Sequence, residues 1–162
     1  MGAEAVRVPC RPLTDAPLNE CFSILPEHVA SHGGSQVIGW AVWERPGVFI
    51  EAEFHAVWCS PDGELMDIVP RARLFDEILF LPDAARPYTG RQVDNMRRAL
   101  VSDNDVKRFL FLFHRQFEIL NTGALATQHG LISLPKRAAK ELEGLQKELG
   151  RLQNRINKRY GS

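Results

Sequence analysis

Residues 48–59, VFIEAEFHAVWC, constrain the fold more than any other stretch, because their apolar side chains recur at every second position. That period belongs to a strand, whose successive side chains point to opposite faces. Val48, Ile50, Ala52, Phe54, Ala56 and Trp58 form one apolar face, and Phe49, Glu51, Glu53, His55, Val57 and Cys59 form a more polar one. Ser60-Pro61-Asp62-Gly63 then supplies turn chemistry, and ELMDIV (64–69) resumes the strand pattern. A three-residue loop of Pro-Asp-Gly, a type I turn closed by a left-handed glycine, sets the register. Ser60 then faces Glu64, Val57 faces Asp67 and His55 faces Val69. In that register His55 and Asp67 share a face as diagonal neighbours, with Cα atoms about 7–8 Å apart. A one-residue slip would separate them.

The flanks follow from the same reasoning. QVIGWAVW (36–43) is rich in β-formers and is punctuated by Pro46-Gly47, which makes it a strand before the hairpin. Upstream, Asn19 is read as the N-cap of a helix running toward His32, with Gly33-Gly34 as its stop and Pro26 as a kink or a new start. Residues 1–18, with Pro9, Pro12 and Pro17, read as an extended lead-in. Downstream, a strand is expected at Ile78–Leu81 and a loop around Pro82–Gly90. Ser102 and Asp103 are caps for a helix bearing Val106, Phe109, Leu110, Phe113, Phe117 and Leu120, with Gly123 as its stop.

The last helix is the most regular. Ala138, Leu142, Leu145, Leu149, Leu152 and Ile156 recur at alternating four- and three-residue steps, a heptad seam. Such a seam serves either packing on the chain's own surface or a homodimer through residues 138–156. The basic residues near its end, Arg151, Arg155, Lys158 and Arg159, suit a solvated face close to the negative helix terminus. These elements give an α+β class: an N-terminal helix carrying a cysteine, packed on a small antiparallel sheet, with helices after it. The expected organisation is a lead-in (1–18), an α+β domain (19–125) and a C-terminal helical extension (126–162).

Composition enters as a set of exclusions. Twenty Lys and Arg balance twenty Asp and Glu in 162 residues, so no global field draws nucleic acid or an anionic membrane. No apolar run approaches the roughly 20 residues of a membrane span. The beginning, MGAEAVRVPCRPL, lacks the apolar centre of a signal peptide, and three scattered cysteines make no disulfide framework. A cytoplasmic protein without a cofactor is the expectation.

Cys21, His55 and Asp67 carry the candidate chemistry. A thiol becomes a nucleophile when its pKa falls, and a helix start and a neighbouring imidazolium both favour the anion. Cys21 stands at the expected helix start, His55 is mid-strand, and Asp67 on the next strand is placed to fix the imidazole's tautomer.

Cys21, the turn at Gly33-Gly34, Val37-Ile38-Gly39-Trp40, His55-Ala56-Val57-Trp58 and Asp67-Ile68-Val69-Pro70 together resemble the transglutaminase-like core of the papain-like cysteine superfamily. The resemblance covers residues 19–70. It implies a thiol-dependent hydrolase or acyltransferase acting on an amide of a protein or peptide substrate, through a thioester. In that resemblance Cys21 is nucleophile, His55 general base and acid, and Asp67 the orienter. The Cys21 amide is then one oxyanion donor, with Asn19 as a candidate for another. Trp58 lies one place later than the family's usual position.

Other readings stay open beside it. Zinc held by His28 and His32, four apart on a helix, or by Cys21, His55 and Cys59 is a metal alternative. Paired Glu51 and Glu53 suit a solvated or cation-paired row better than acid–base work. A non-catalytic protein that uses the same fold and its heptad helix to bind a partner is the alternative function.

Overall fold

The computed structural model describes residues 4–127 and 133–161. The chain forms two compact units: Met1–Trp43 with Ala52–Thr89, and Glu44–Glu51 with Gly90–Ser162. The class is α+β. The strands are β1 (Val6–Pro9), β2 (Ser35–Arg45), β3 (Phe49–Cys59), β4 (Leu65–Met66), β5 (Glu77–Pro82) and β6 (Met96–Ala99). The helices are α1 (Cys21–His32), α2 (Asn104–Leu120) and α3 (Lys136–Tyr160), with a 3-10 turn at Gly123–Thr127.

In the first unit the strands run in the order β1-β5-β2-β3-β4, antiparallel where β1 and β2 flank β5 and where β4 follows β3. The hairpin register is the one read from the turn. Trp58 faces Met66 and Cys59 faces Leu65. The loop is closed by Ser60 N–H to Glu64 O (2.8 Å) and Gly63 N–H to Ser60 O (2.9 Å), with Gly63 at φ +86°. Only Leu65–Met66 pair as a strand, shorter than the expected 64–69. The chain leaves β3 after Met66 because it finds another partner. Asp67 forms a parallel bridge with Cys10, and Asp67 N–H to Pro9 O (2.9 Å), Arg11 N–H to Asp67 O (2.7 Å) and Leu13 N–H to Ile68 O (3.0 Å) extend it.

That bridge returns the last strand to the first, so the sheet closes on itself. Val8, Ala41, Val57, Ile78 and Phe80, from four strands, meet in one buried cluster inside, with Leu65 of β4 packed against it. A ring of so few strands is filled by its own side chains. The segment read as an extended lead-in supplies β1, whose Val6-Arg7-Val8 alternation sits between exposed and buried positions.

Helix α1 covers the outside. Cys21, Ile24 and Leu25 are buried with Ala56, Ile68 and Val69. The helix starts one residue later than Asn19 as cap would require. Asn19 is left-handed (φ +61°) and its N–H is bonded to Pro70 O, so Glu20 becomes the cap residue. Pro26 lies within α1 without ending it. Gly34 follows at φ +79°, so close to the hairpin that a Cβ there would lie 2.1 Å from Cys59 O.

The second unit is built on helix packing. Asp103 caps α2, its carboxylate accepting from the N–H groups of Asp105 and Val106. The helix ends at Leu120 with Asn121 as its C-cap, before Gly123. Leu145, Leu149, Leu152 and Ile156 of α3 are buried in one cluster with Val106, Phe109, Leu110, Leu112 and Ile119 of α2. The heptad face is thus covered within the chain. Exposed ion pairs Arg108–Glu148 and Arg115–Glu141 flank this contact. The unpredicted strand β6 pairs with β3, and Arg97 and Asn95 bind Glu51 there.

Candidate functional site

Strand alternation decides which candidates meet. His55 and Ala56 are consecutive in β3, so their side chains leave on opposite sides. The His55 side points into the closed sheet, where its ring lies edge-on to Phe80 at 6.5 Å. The Ala56 side faces α1, where Cys21 packs.

His55 and Asp67 are brought together as the register requires. His55 Nε2 is 3.1 Å from Asp67 Oδ1, and the two residues are 2% and 1% exposed. Asp67 Oδ1 also accepts the Val69 N–H at 3.1 Å. Burial pushes the Asp67 carboxyl up. The hydrogen bond and charge of His55, the Arg71 guanidinium and the Val69 N–H outweigh it and hold the carboxyl below its ordinary value.

Arg71 completes this cluster, and the sequence reading did not find it. Its Nη1 binds both oxygens of Glu53 at 3.2 Å, and its Nη2 reaches His55 Nε2 at 3.2 Å and Asp67 Oδ2 at 3.4 Å. The guanidinium lies over the Trp43 ring, 5.1 Å from its centre, and Trp43 Nε1–H donates to Glu53 at 2.7 Å. Two carboxylates thus share one buried arginine, stacked on an indole. Protonated, His55 Nε2 donates to Asp67; unprotonated, it accepts from Arg71. Glu51 and Glu53 are both paired with arginines, Glu51 with Arg97 and Glu53 with Arg71. No local signal marks Arg71 in the sequence, since it lies beyond the hairpin in a segment without periodicity.

Cys21 packs on the Ala56 side of β3. It is the first residue of α1 and 5% exposed. Its thiol is pushed up to about 12, first by burial and further by the charges of Glu53 and Asp67, against the opposing Ala56 N–H hydrogen bond and the Arg71 charge. Burial outweighs the helix terminus that was expected to favour the anion. Among the described residues Cys21 makes no hydrogen bond to His55. Asn19, the oxyanion candidate, is exposed, with its backbone N–H bonded to Pro70 O.

Cys10, rather than Cys21, packs against the interior cluster, and it bridges to Asp67. Its thiol is pushed up to about 11 by burial and by Asp67.

His28 and His32 stack face to face, with ring centres 4.1 Å apart and planes 14° from parallel. A metal ion binds in the plane of an imidazole, and two stacked planes cannot both contain it. Among the described residues no group of three or more His, Cys, Asp or Glu side chains is arranged to hold a metal ion. That covers Cys21, His55 and Cys59 as well.

No protein-family model, curated protein or solved structure matches this chain. Among the described residues no helix is long and apolar enough to cross a membrane.

Proposed function

We propose that this chain is a non-catalytic interaction module, in which Cys21, His55 and Asp67 hold the fold together. The observation that carries this reading is that Cys21 packs beside Ala56 beneath α1, while the His55 ring meets Phe80 within the sheet. The thiol lies under α1, where burial pushes its pKa well up and disfavours the thiolate at neutral pH. His55 is engaged by Asp67 and Arg71 inside the sheet. The partner in this reading is a protein. Phe111 on α2 is 53% exposed with the Arg108 guanidinium over its ring, 5.4 Å from the centre, and aromatic and arginine side chains are enriched at protein interfaces. The three cysteines are free thiols, which suits a reducing compartment, and a cytoplasmic location goes with the proposal.

The second reading, a thiol-dependent hydrolase or acyltransferase acting on an amide, is favoured by the 3.1 Å His55–Asp67 contact that such a site needs. Iodoacetamide separates the two. As a module, the folded protein labels Cys21 more slowly than Cys10 at neutral pH, and His55→Ala leaves that order unchanged. Preferential labelling of Cys21 that disappears in His55→Ala would overturn the module and support the enzyme.

A further inference from the structure

Strand β6 stands at the margin of the sheet: among the described residues it pairs with β3 and with no other strand. Leu100 N–H donates to Val48 O at 2.8 Å, which fixes the side that β3 occupies. Backbone groups alternate between the two edges of a strand, so the N–H and C=O of Arg97 and Ala99 point the other way. Their side chains face α2. The Arg97 guanidinium lies over the Phe113 ring, 5.3 Å from its centre, and Ala99 packs on the α2–α3 cluster. The opposite face carries Met96, Arg98 and Leu100, all exposed, the two apolar ones by 53% and 47%.

A groove of about 270 Å³ separates the start of β6 from α2, lined by Asp94, Asn95, Arg97, Leu110, Phe111 and His114. Helix α3 meets α2 along another flank, through Arg108–Glu148 and Arg115–Glu141. Val48, the neighbour of Leu100 on β3, is buried in the α2–α3 cluster, so β3 stands on the α3 side of β6 and the groove on its open side. The groove is smaller than the roughly 300–1,000 Å³ of small-molecule sites and suits side chains of a passing chain. Asp94 within it is paired with Arg97 (2.9 Å) and His114 (2.6 Å). Arg98 and Lys107 nearby are exposed and make no ion pair among the described residues.

We propose that the open edge of β6 takes up an extended acidic segment of a partner protein as an added antiparallel strand, with a carboxylate set against Arg98. This rests on the reading of the chain as an interaction module and names the chemistry of its partner. Segment residues opposite Arg97 and Ala99 exchange main-chain hydrogen bonds with them and turn their side chains toward Leu110 and Phe111. The residue between them lies opposite Arg98, where directly opposed Cβ atoms are about 4.5–5.5 Å apart and an opposite charge is favoured. The residues beyond cover Met96 and Leu100. The pattern recognised is therefore an acidic residue with two apolar ones on either side. A second copy of this chain fits worse, because pairing β6 with β6 sets arginine directly against arginine. Charges on an edge strand guard against such self-pairing, and a positive guard admits a strand of the other sign.

Fluorescence anisotropy of the full chain with a fluorescein-labelled peptide, Gly-Ser-Val-Ile-Glu-Ile-Val-Ser-Gly, tests this. The peptide should bind with a Kd below about 1 mM. Lys in place of its Glu should weaken binding by about fivefold or more, and Arg98→Glu should invert that preference. N-methylation of both isoleucines, which keeps the side chains and removes the donors to β6, should abolish binding. Phe111→Ala should weaken it by about threefold or more. Arg98 and Phe111 are exposed, so neither change disturbs the core. Failure of the Glu peptide to bind, equal binding of the Glu and Lys peptides, or tolerance of N-methylation overturns the strand addition. So does a wild-type dimer in sedimentation that the peptide dissociates, which gives the edge to a second copy. The module reading is judged separately: preferential labelling of Cys21, lost in His55→Ala, would strike it and leave the peptide comparison standing.

Discussion

Replacing Asp67 by Asn tests whether the buried cluster stabilises the closed sheet or is merely accommodated by it. The backbone of Asp67 forms the bridge that closes the sheet, and its side chain touches His55, Arg71 and Val69. Asn keeps the volume and can still accept the Val69 N–H. It loses the negative charge, and its amide donor faces the guanidinium or the imidazole. Removing one member of a buried ion pair costs about 3–5 kcal/mol. One preserved acceptor and the remaining Arg71–Glu53 contact reduce that to about 2–4 kcal/mol.

The three tryptophans, Trp40, Trp43 and Trp58, all lie in the first unit, so their fluorescence in a urea titration reads that unit alone. The pH dependence gives an independent check. The folded Asp67 pKa lies below its ordinary value of 3.8. On acidification the unfolded chain therefore takes up this proton first. The contribution is complete above the unfolded value and is lost as pH falls through the folded one. The gap between wild type and Asp67→Asn should thus be full at pH 7 and shrink as pH falls below 4. A loss under about 1 kcal/mol, or a gap that does not change with pH, would refute the reasoning.

Two further outcomes follow from the packing. Gly34→Ala should destabilise the first unit by about 3 kcal/mol or more, since a left-handed alanine would press its Cβ against Cys59 O. A fall in Tm of less than a few degrees would show that the α1–hairpin approach is looser than this. Leu145→Asp places a charge in the α2–α3 cluster, so it should lower the thermal midpoint of the second unit without changing the mass by sedimentation. A dimeric wild type converted by this change into a folded monomer would restore the seam to an intermolecular role.

What the sequence made legible was local, and what it hid was closure. The turn at Pro61–Gly63 dictated the register that joined His55 to Asp67, because a glycine-bulged loop has little freedom in how it pairs its strands. The heptad face of α3 and the Asp103 cap were legible for the same reason, as each follows from spacing within one element. Strand β1 was hidden among prolines, although Val6 and Val8 alternate, because four residues give too short a period to outweigh their neighbours. That omission carried others with it. Without β1 there is no partner to draw Asp67 away from β3, and ELMDIV reads as one long strand. Without a closed sheet, the more polar face of β3 is not recognised as its interior. Glu53 and His55 can point inward there because Arg71 and Asp67 meet them, the one partner distant in sequence and unmarked by any pattern. The side of β3 against which α1 places Cys21 follows from the same closure. With the inner face occupied by side chains of the ring itself, a helix can pack only on the outer one, beside Ala56. A nucleophile's helix and its base's strand were both readable from sequence. Whether the two side chains lie on one side of that strand depends on how the whole sheet closes.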